Sequence, residues 1–138
     1  MSLEFIHGER EGIEILTLHG NLTFGGEDLD LRRELDSLIK AGKIRVAFNL
    51  INLSKLDTTG LNTLVFGREE LRRAGGNLAI FNLNRSHIEL LVEMQLETAF
   101  DVLPTEADAI DSFFPDRQIK RYDILEFVES LKVKKPKP

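Results

Sequence analysis

Leu56-Asp57-Thr58-Thr59-Gly60-Leu61 is the stretch on which the reading of this chain turns. Before it runs a strongly apolar strand, Val46 to Leu50 with Ile51 and Leu53. After it, from near Thr59 to Ala74, Leu61, Leu64, Val65 and Leu71 recur at helical spacing, with Arg68, Glu69, Glu70, Arg72 and Arg73 mostly on the other side. The six residues are therefore a strand-to-helix junction. In α/β domains such junctions, at the carboxyl ends of strands, are where partners and ligands gather. Two hydroxyls and a carboxylate sit here, and little else in the chain looks chemical.

Working outward, Gly75-Gly76 stops the helix, and Asn77 to Phe81 is a further apolar strand. Upstream, Ile44 to Leu50 is apolar enough for burial on both faces, the mark of a parallel strand. Before that, a helix from about Glu27 to Ala41 carries Leu31, Leu35, Leu38 and Ile39 on one face. Glu27, Asp28 and Asp30 crowd its first turn, where the helix dipole favours carboxylates, and Gly42 suits its end. The chain opens with two strands, Phe5 to His7 and Ile13 to Leu18, around the turn Glu9-Arg10-Glu11-Gly12. Gly20-Asn21-Leu22-Thr23-Phe24-Gly25-Gly26 then reads as a loop. Downstream, Ser86-His87-Ile88-Glu89 reads as a capping box that starts a third helix, Ala99 to Leu103 as a short strand, and Pro104 to Phe114 as a fourth helix.

The predicted order is β-β-α-β-α-β-α-β-α: an α/β single domain over residues 1–115, with a mixed, mostly parallel sheet and the opening hairpin at an antiparallel edge. Residues 116–138 form an extension. In it Tyr122 to Lys132 suits a short helix whose apolar face, from Ile124 to Leu131, fits packing or a homodimer contact. A basic, proline-broken end follows.

Composition narrows the function. The chain has 138 residues, 42% hydrophobic and 30% charged, the balance of an ordinary globular domain. A net charge of −5 does not favour nucleic acid, and no cysteine is available for thiol catalysis or zinc-thiolate binding. No apolar run approaches the roughly 20 residues that span a bilayer, so membrane insertion is not expected. Glu4, His7 and Glu9 stand where a signal peptide would be apolar, and the expectation is a cytoplasmic protein. His7, His19 and His87 are scattered without metal-ligand spacing; no metal, cofactor or catalytic residue is expected. The glycine pairs lack a phosphate-loop pattern and read as turns or helix ends. Thr58 and Thr59, taken alone, read as helix caps.

Four landmarks in order change that balance. They are Gly20-Asn21-Leu22, Asn49-Leu50, Asp57-Thr58-Thr59-Gly60-Leu61, and Gly67-Arg68 followed by Ala74-Gly75-Gly76. Together they resemble the STAS domain family, whose best-known members are bacterial anti-sigma factor antagonists, over about residues 4 to 114. The resemblance implies a non-enzymatic regulatory module that binds a serine/threonine kinase acting as anti-sigma factor, with a phosphatase to reverse its action. It places the phosphoacceptor at Thr58, with Thr59 second. It makes Asp57, Thr58, Thr59, Gly60 and Leu61, with Asn21 and Thr23, the partner-binding residues. Two departures stand out: the acceptor is threonine, and Thr23 occupies the place of an aspartate in the family's Gly-Glu-Leu-Asp segment. Two other uses fit the residues: a cytosolic subunit docked on an ABC-type transporter ATPase, and a small-ligand binder or enzyme using Asp57, Thr58 and Thr23.

Overall fold

A computed structural model describes residues 3–119. The expected helix from Tyr122 to Lys132 and the basic end lie outside the described residues.

The elements are β1 (Glu4–Arg10), β2 (Ile13–Leu22), α1 (Glu27–Lys40), β3 (Arg45–Asn49), β4 (Leu53–Leu56), α2 (Thr58–Arg73), β5 (Asn77–Phe81), α3 (Arg85–Glu93), β6 (Asp101–Leu103) and α4 (Glu106–Asp111). The sheet order is β1-β2-β3-β5-β6, with β4 paired to β2. Among the described residues only the β1–β2 hairpin is antiparallel; β2–β3, β2–β4, β3–β5 and β5–β6 are parallel. The expected α/β fold and its antiparallel edge are present.

Two cores follow from the period-two alternation of the strands. Leu16, Leu18, Val46, Phe48, Leu78 and Ile80 point to the face covered by the apolar stripes of α1, α2 and α3. Ile13, Ile15, Ala47, Ala79 and Phe81 point to the other, covered by Ala109 and Ile110 of α4 with Phe113 and Phe114. Leu61, Leu64 and Leu71 of α2 are fully buried, and each such side chain stabilises the fold by about 1.5–3 kcal/mol relative to exposure. Past α4, Arg117 pairs with Glu11 and Asp111 and stacks 4.0 Å from the Phe114 ring, which ties this segment to the β1–β2 turn.

The junction itself corrects the sequence reading. β4 was not expected. Asn49 ends β3 by accepting the Ile51 amide on its side chain at 3.1 Å, and the Leu53 amide then donates to the Leu50 carbonyl at 3.1 Å. This turn steps the chain sideways, so β2 pairs with β3 over Glu14–Thr17 and then with β4 over Gly20–Leu22. Gly20-Asn21-Leu22 is accordingly the end of β2 and not a loop. Exposed Ser54 and Lys55 in the middle of β4 hid it from a search for apolar runs. The third helix is also capped differently. Its N-cap is Asn84, whose side chain accepts the His87 amide at 2.9 Å, while His87 Nδ1 accepts the Asn84 amide at 3.4 Å. Ser86 only donates its hydroxyl to Asn84.

Candidate functional site

The start of α2 is built by Asp57. Its backbone is extended, and its Oδ1 accepts the Gly60 amide at 2.8 Å, which makes it the N-cap. Thr58 and Thr59 are thus the first two helical residues, not the cap. The second carboxylate oxygen reaches out of the helix: Oδ2 accepts the Phe24 amide at 3.0 Å. One side chain therefore satisfies a helix-end donor and pins the loop between β2 and α1 against that helix end. With both oxygens engaged by amides, Asp57 holds the local architecture.

Gly60 explains how close this junction sits. A Cβ on it would overlap the Leu22 carbonyl, so the first turn of α2 lies directly on the end of β2. Only glycine permits that approach. The Asp57 amide adds a bond to the same Leu22 carbonyl at 3.4 Å. Leu61 follows and is fully buried, which anchors the helix start in the core.

Against this rigid frame, Thr58 is exposed. Its hydroxyl donates to Met94 Sδ at 3.9 Å, a weak contact with the residue that ends α3. Thr59 is half-buried, and its carbonyl accepts the Thr63 hydroxyl at 3.0 Å. Of the two candidate hydroxyls, the one at 58 is open to solvent and set at the amide-rich end of a helix. A phosphate there meets unpaired amides and the positive end of the helix dipole.

The structure brings Asp57, Thr58, Thr59, Gly60 and Thr23 together at one end of the sheet, since Thr23 precedes the residue that Asp57 holds. Asn21 lies beneath them, paired in register with Lys55 of β4; its Oδ1 is buried without a partner among the described residues. Leu61 faces the core and supports the surface without forming it. Two neighbours escaped the sequence reading. Phe24 falls in a segment that reads as a loop, where an aromatic residue between threonine and two glycines has nowhere to be buried. Met94 carries no sequence signal, because its approach to Thr58 depends on how α3 packs.

His87 lies in the first turn of α3 and is buried, at 2% exposure. Burial holds its imidazole below the ordinary 6.5, and the backbone of Leu53 offsets this only in part. The other two histidines are apart from it, His7 paired with Glu34 at 2.8 Å and His19 beside Asn52 at 3.3 Å. Among the described residues no group of three or more histidine, aspartate or glutamate side chains is placed to hold a metal. Among them, too, no helix is long and apolar enough to cross a membrane.

The fold and its junction define a class: a small α/β domain that presents a helix start, with an exposed hydroxyl, beside a pinned loop. The STAS domain profile matches residues 7–109, and the chain belongs to the STAS domain family. Three solved structures share the fold. A Thermotoga maritima protein assigned as an anti-sigma factor antagonist is 17% identical, with a TM-score of 0.72 over 79% of this chain and 93% of that one. An anti-sigma factor antagonist from Mycobacterium paratuberculosis is 15% identical, with a TM-score of 0.70 over 80% and 93%. The phosphorylated form of the Bacillus cell fate determinant SpoIIAA is 20% identical, with a TM-score of 0.59 over 79% and 98%. No curated protein sequence matches at a significant level.

Proposed function

We propose that this chain is a non-enzymatic, cytoplasmic protein-interaction module that acts as an anti-sigma factor antagonist. It binds a kinase-type anti-sigma factor through the start of α2 and is released when that kinase phosphorylates Thr58; a phosphatase resets it. The observation that carries this reading is the exposed Thr58 hydroxyl at the first position of a helix whose cap, Asp57, is already saturated by two amides. A kinase can reach that hydroxyl without unfolding anything. SpoIIAA, which shares the fold, has been solved in phosphorylated and unphosphorylated forms.

The energetics suit a switch. Phosphothreonine adds about −1.5 to −2 charges at pH 7. The helix start accommodates that charge, so the isolated domain changes little. A partner seated over the same helix start must instead accept the bulk of the phosphate and strip its water. Disrupting a buried polar contact of this kind costs about 2–5 kcal/mol, or about 30-fold to several-thousand-fold in affinity.

The test is a phosphopeptide map of the protein from its own cells, in growth and under stress. Trypsin cuts after Lys55 and Arg68 and releases Leu56 to Arg68 with both candidate threonines. Phosphate on Thr58 that varies with condition is the expected result. A well-detected peptide that never carries phosphate removes the switch and leaves a constitutive docking subunit.

A further inference from the structure

The end of the molecule that carries Thr58 also carries apolar surface that the fold does not use. Phe24 is 79% exposed and Leu29 is 51% exposed. Phe24 is held firmly, because its amide bonds to the Asp57 carboxylate. It therefore stands beside the residue that precedes Thr58. An exposed aromatic side chain on a fixed backbone is where binding energy concentrates at protein interfaces. The contrast with Phe66 is direct: that ring, on the outer side of α2, is covered at 4.5 Å by the Arg32 guanidinium. Among the described residues no cation covers Phe24.

The charge around Phe24 is mostly acidic, although Arg33 reaches Asp30 at 3.5 Å and Lys55 is exposed on β4 opposite Asn21. Glu27, Asp28 and Asp30 fill the first turn of α1, and Asp57 flanks the loop from the other side. Between Leu22 and Leu31 there is no lysine or arginine. A partner that buries the Phe24 ring must bring its own surface close to Glu27 and Asp28 in the first turn of α1. An acidic or neutral rim would leave them desolvated and uncompensated; a cationic rim pairs them.

We propose that Phe24, with Leu29 beside it in the chain, anchors the partner surface that continues from Thr58, and that its occupant is a protein with an apolar pocket rimmed by lysine and arginine. This rests on the reading of the α2 start as a partner surface and adds the chemistry of the partner. It also says how the switch works. Against a cationic rim, a phosphate on Thr58 is not repelled by charge; it releases the partner through its bulk and its dehydration.

The test uses the full chain in its own cells with photo-reactive benzoylphenylalanine at position 24, and at position 66 as the control. Irradiation should give one dominant protein adduct at 24 that is absent at 66. Mass spectrometry should locate the adduct among apolar residues flanked by lysine or arginine. With that partner purified, Phe24→Ser should weaken binding about tenfold or more, the scale of a hot-spot residue, and Leu29→Ser by a smaller factor. Binding should weaken as salt rises, and both variants should melt as the wild type does. No adduct at 24 beyond that at 66, an adduct in an acidic segment, or unchanged affinity in Phe24→Ser overturns the proposal. The Thr58 phosphopeptide from the same cells separates the two ideas. Phosphate without a position-24 adduct leaves the switch and removes the anchor. An adduct without phosphate leaves the anchor and removes the switch.

Discussion

The starts of α2 and α3 are built on one plan and used in opposite ways. Each has a polar cap in extended backbone, Asp57 or Asn84, whose side chain accepts the amide three residues on, from Gly60 or His87. At α3 the device closes on itself: His87 turns back to the Asn84 amide and is buried. At α2 it opens outward. The third residue is a glycine, which lets the helix lie on Leu22, and the second oxygen of the cap reaches the Phe24 amide. The closed cap only ends a helix. The open one ties a helix start, a strand end and a surface loop together, and leaves the Thr58 hydroxyl exposed on top of them.

The largest effect that would break this comparison is at the third helical position. Gly60→Val places a side chain into the Leu22 carbonyl, where backbone on both sides prevents relief. Denaturant unfolding should show a loss of about 3 kcal/mol or more, the upper end of the overpacking range. His87, at the same position of α3, has its side chain in the core, so no backbone approach constrains it. A fully stable Gly60→Val protein would mean that α2 can lift from β2, and the junction would not be the rigid frame described above.

Next in size are the caps themselves. Asn84→Ala should cost about 1 kcal/mol, as a lost cap usually does. Asp57→Ala should cost more, about 2 kcal/mol, because it also frees the Phe24 amide. Asp57→Asn sharpens the point: it keeps one acceptor for Gly60 but turns an amide NH2, a donor, toward the Phe24 amide. Hydrogen exchange at Phe24 should then rise while α2 stays protected. Equal costs for Asp57→Ala and Asn84→Ala would reduce the Asp57 contact with the loop to an incidental one.

These two regions also show what the sequence disclosed. The α/β order was legible because Val46, Phe48, Leu78 and Ile80 alternate with small or apolar neighbours, and because α1 and α2 carry clean stripes. The site was legible at Asp57-Thr58-Thr59-Gly60 because those residues are local to one turn. β4 was not, since four residues with Ser54 and Lys55 exposed have no apolar period, and their pairing to Gly20–Leu22 is set by a turn at Asn49. The α3 cap was misplaced for a related reason. Ser86 and Glu89 match a capping box by spacing, but burial of His87 in the core moves the helix start back to Asn84. Contacts made across the fold, Phe24 to Asp57 and Thr58 to Met94, had no signal in local pattern.

A pH series separates the closed cap from the open one. Burial disfavours the charged form of the His87 imidazole, so its folded pKa lies below its unfolded value of 6.5. Above 6.5 both states are neutral and it adds no pH dependence. As pH falls below 6.5 the unfolded chain takes up a proton that the folded one resists, so stability falls until the folded pKa is passed. Urea midpoints should decline through this window in the wild type. They should decline less in His87→Leu, by the share that His87 contributes. An identical slope in both proteins would show that the imidazole is solvated in the folded state.

The smallest expected effect on the fold is at Thr58, and its smallness is informative. The side chain is exposed, and its hydroxyl makes a long approach to the Met94 sulfur. Thr58→Ala should therefore change unfolding free energy by no more than about 0.5 kcal/mol. Thr58→Asp should be similarly mild, because a carboxylate at the first helical position lies in the favourable field of the helix end. If Thr58 were retained only to build the helix, Thr58→Ala should instead destabilise on the scale of the Asp57 substitutions. Near-neutral stability in both variants, with partner binding kept in Thr58→Ala and lost when the wild-type Thr58 carries phosphate, separates a residue that acts on a partner from residues that hold the domain. Thr59→Ala supplies the internal control: it removes the neighbouring hydroxyl from the same turn and should leave the release of the partner by Thr58 phosphorylation intact.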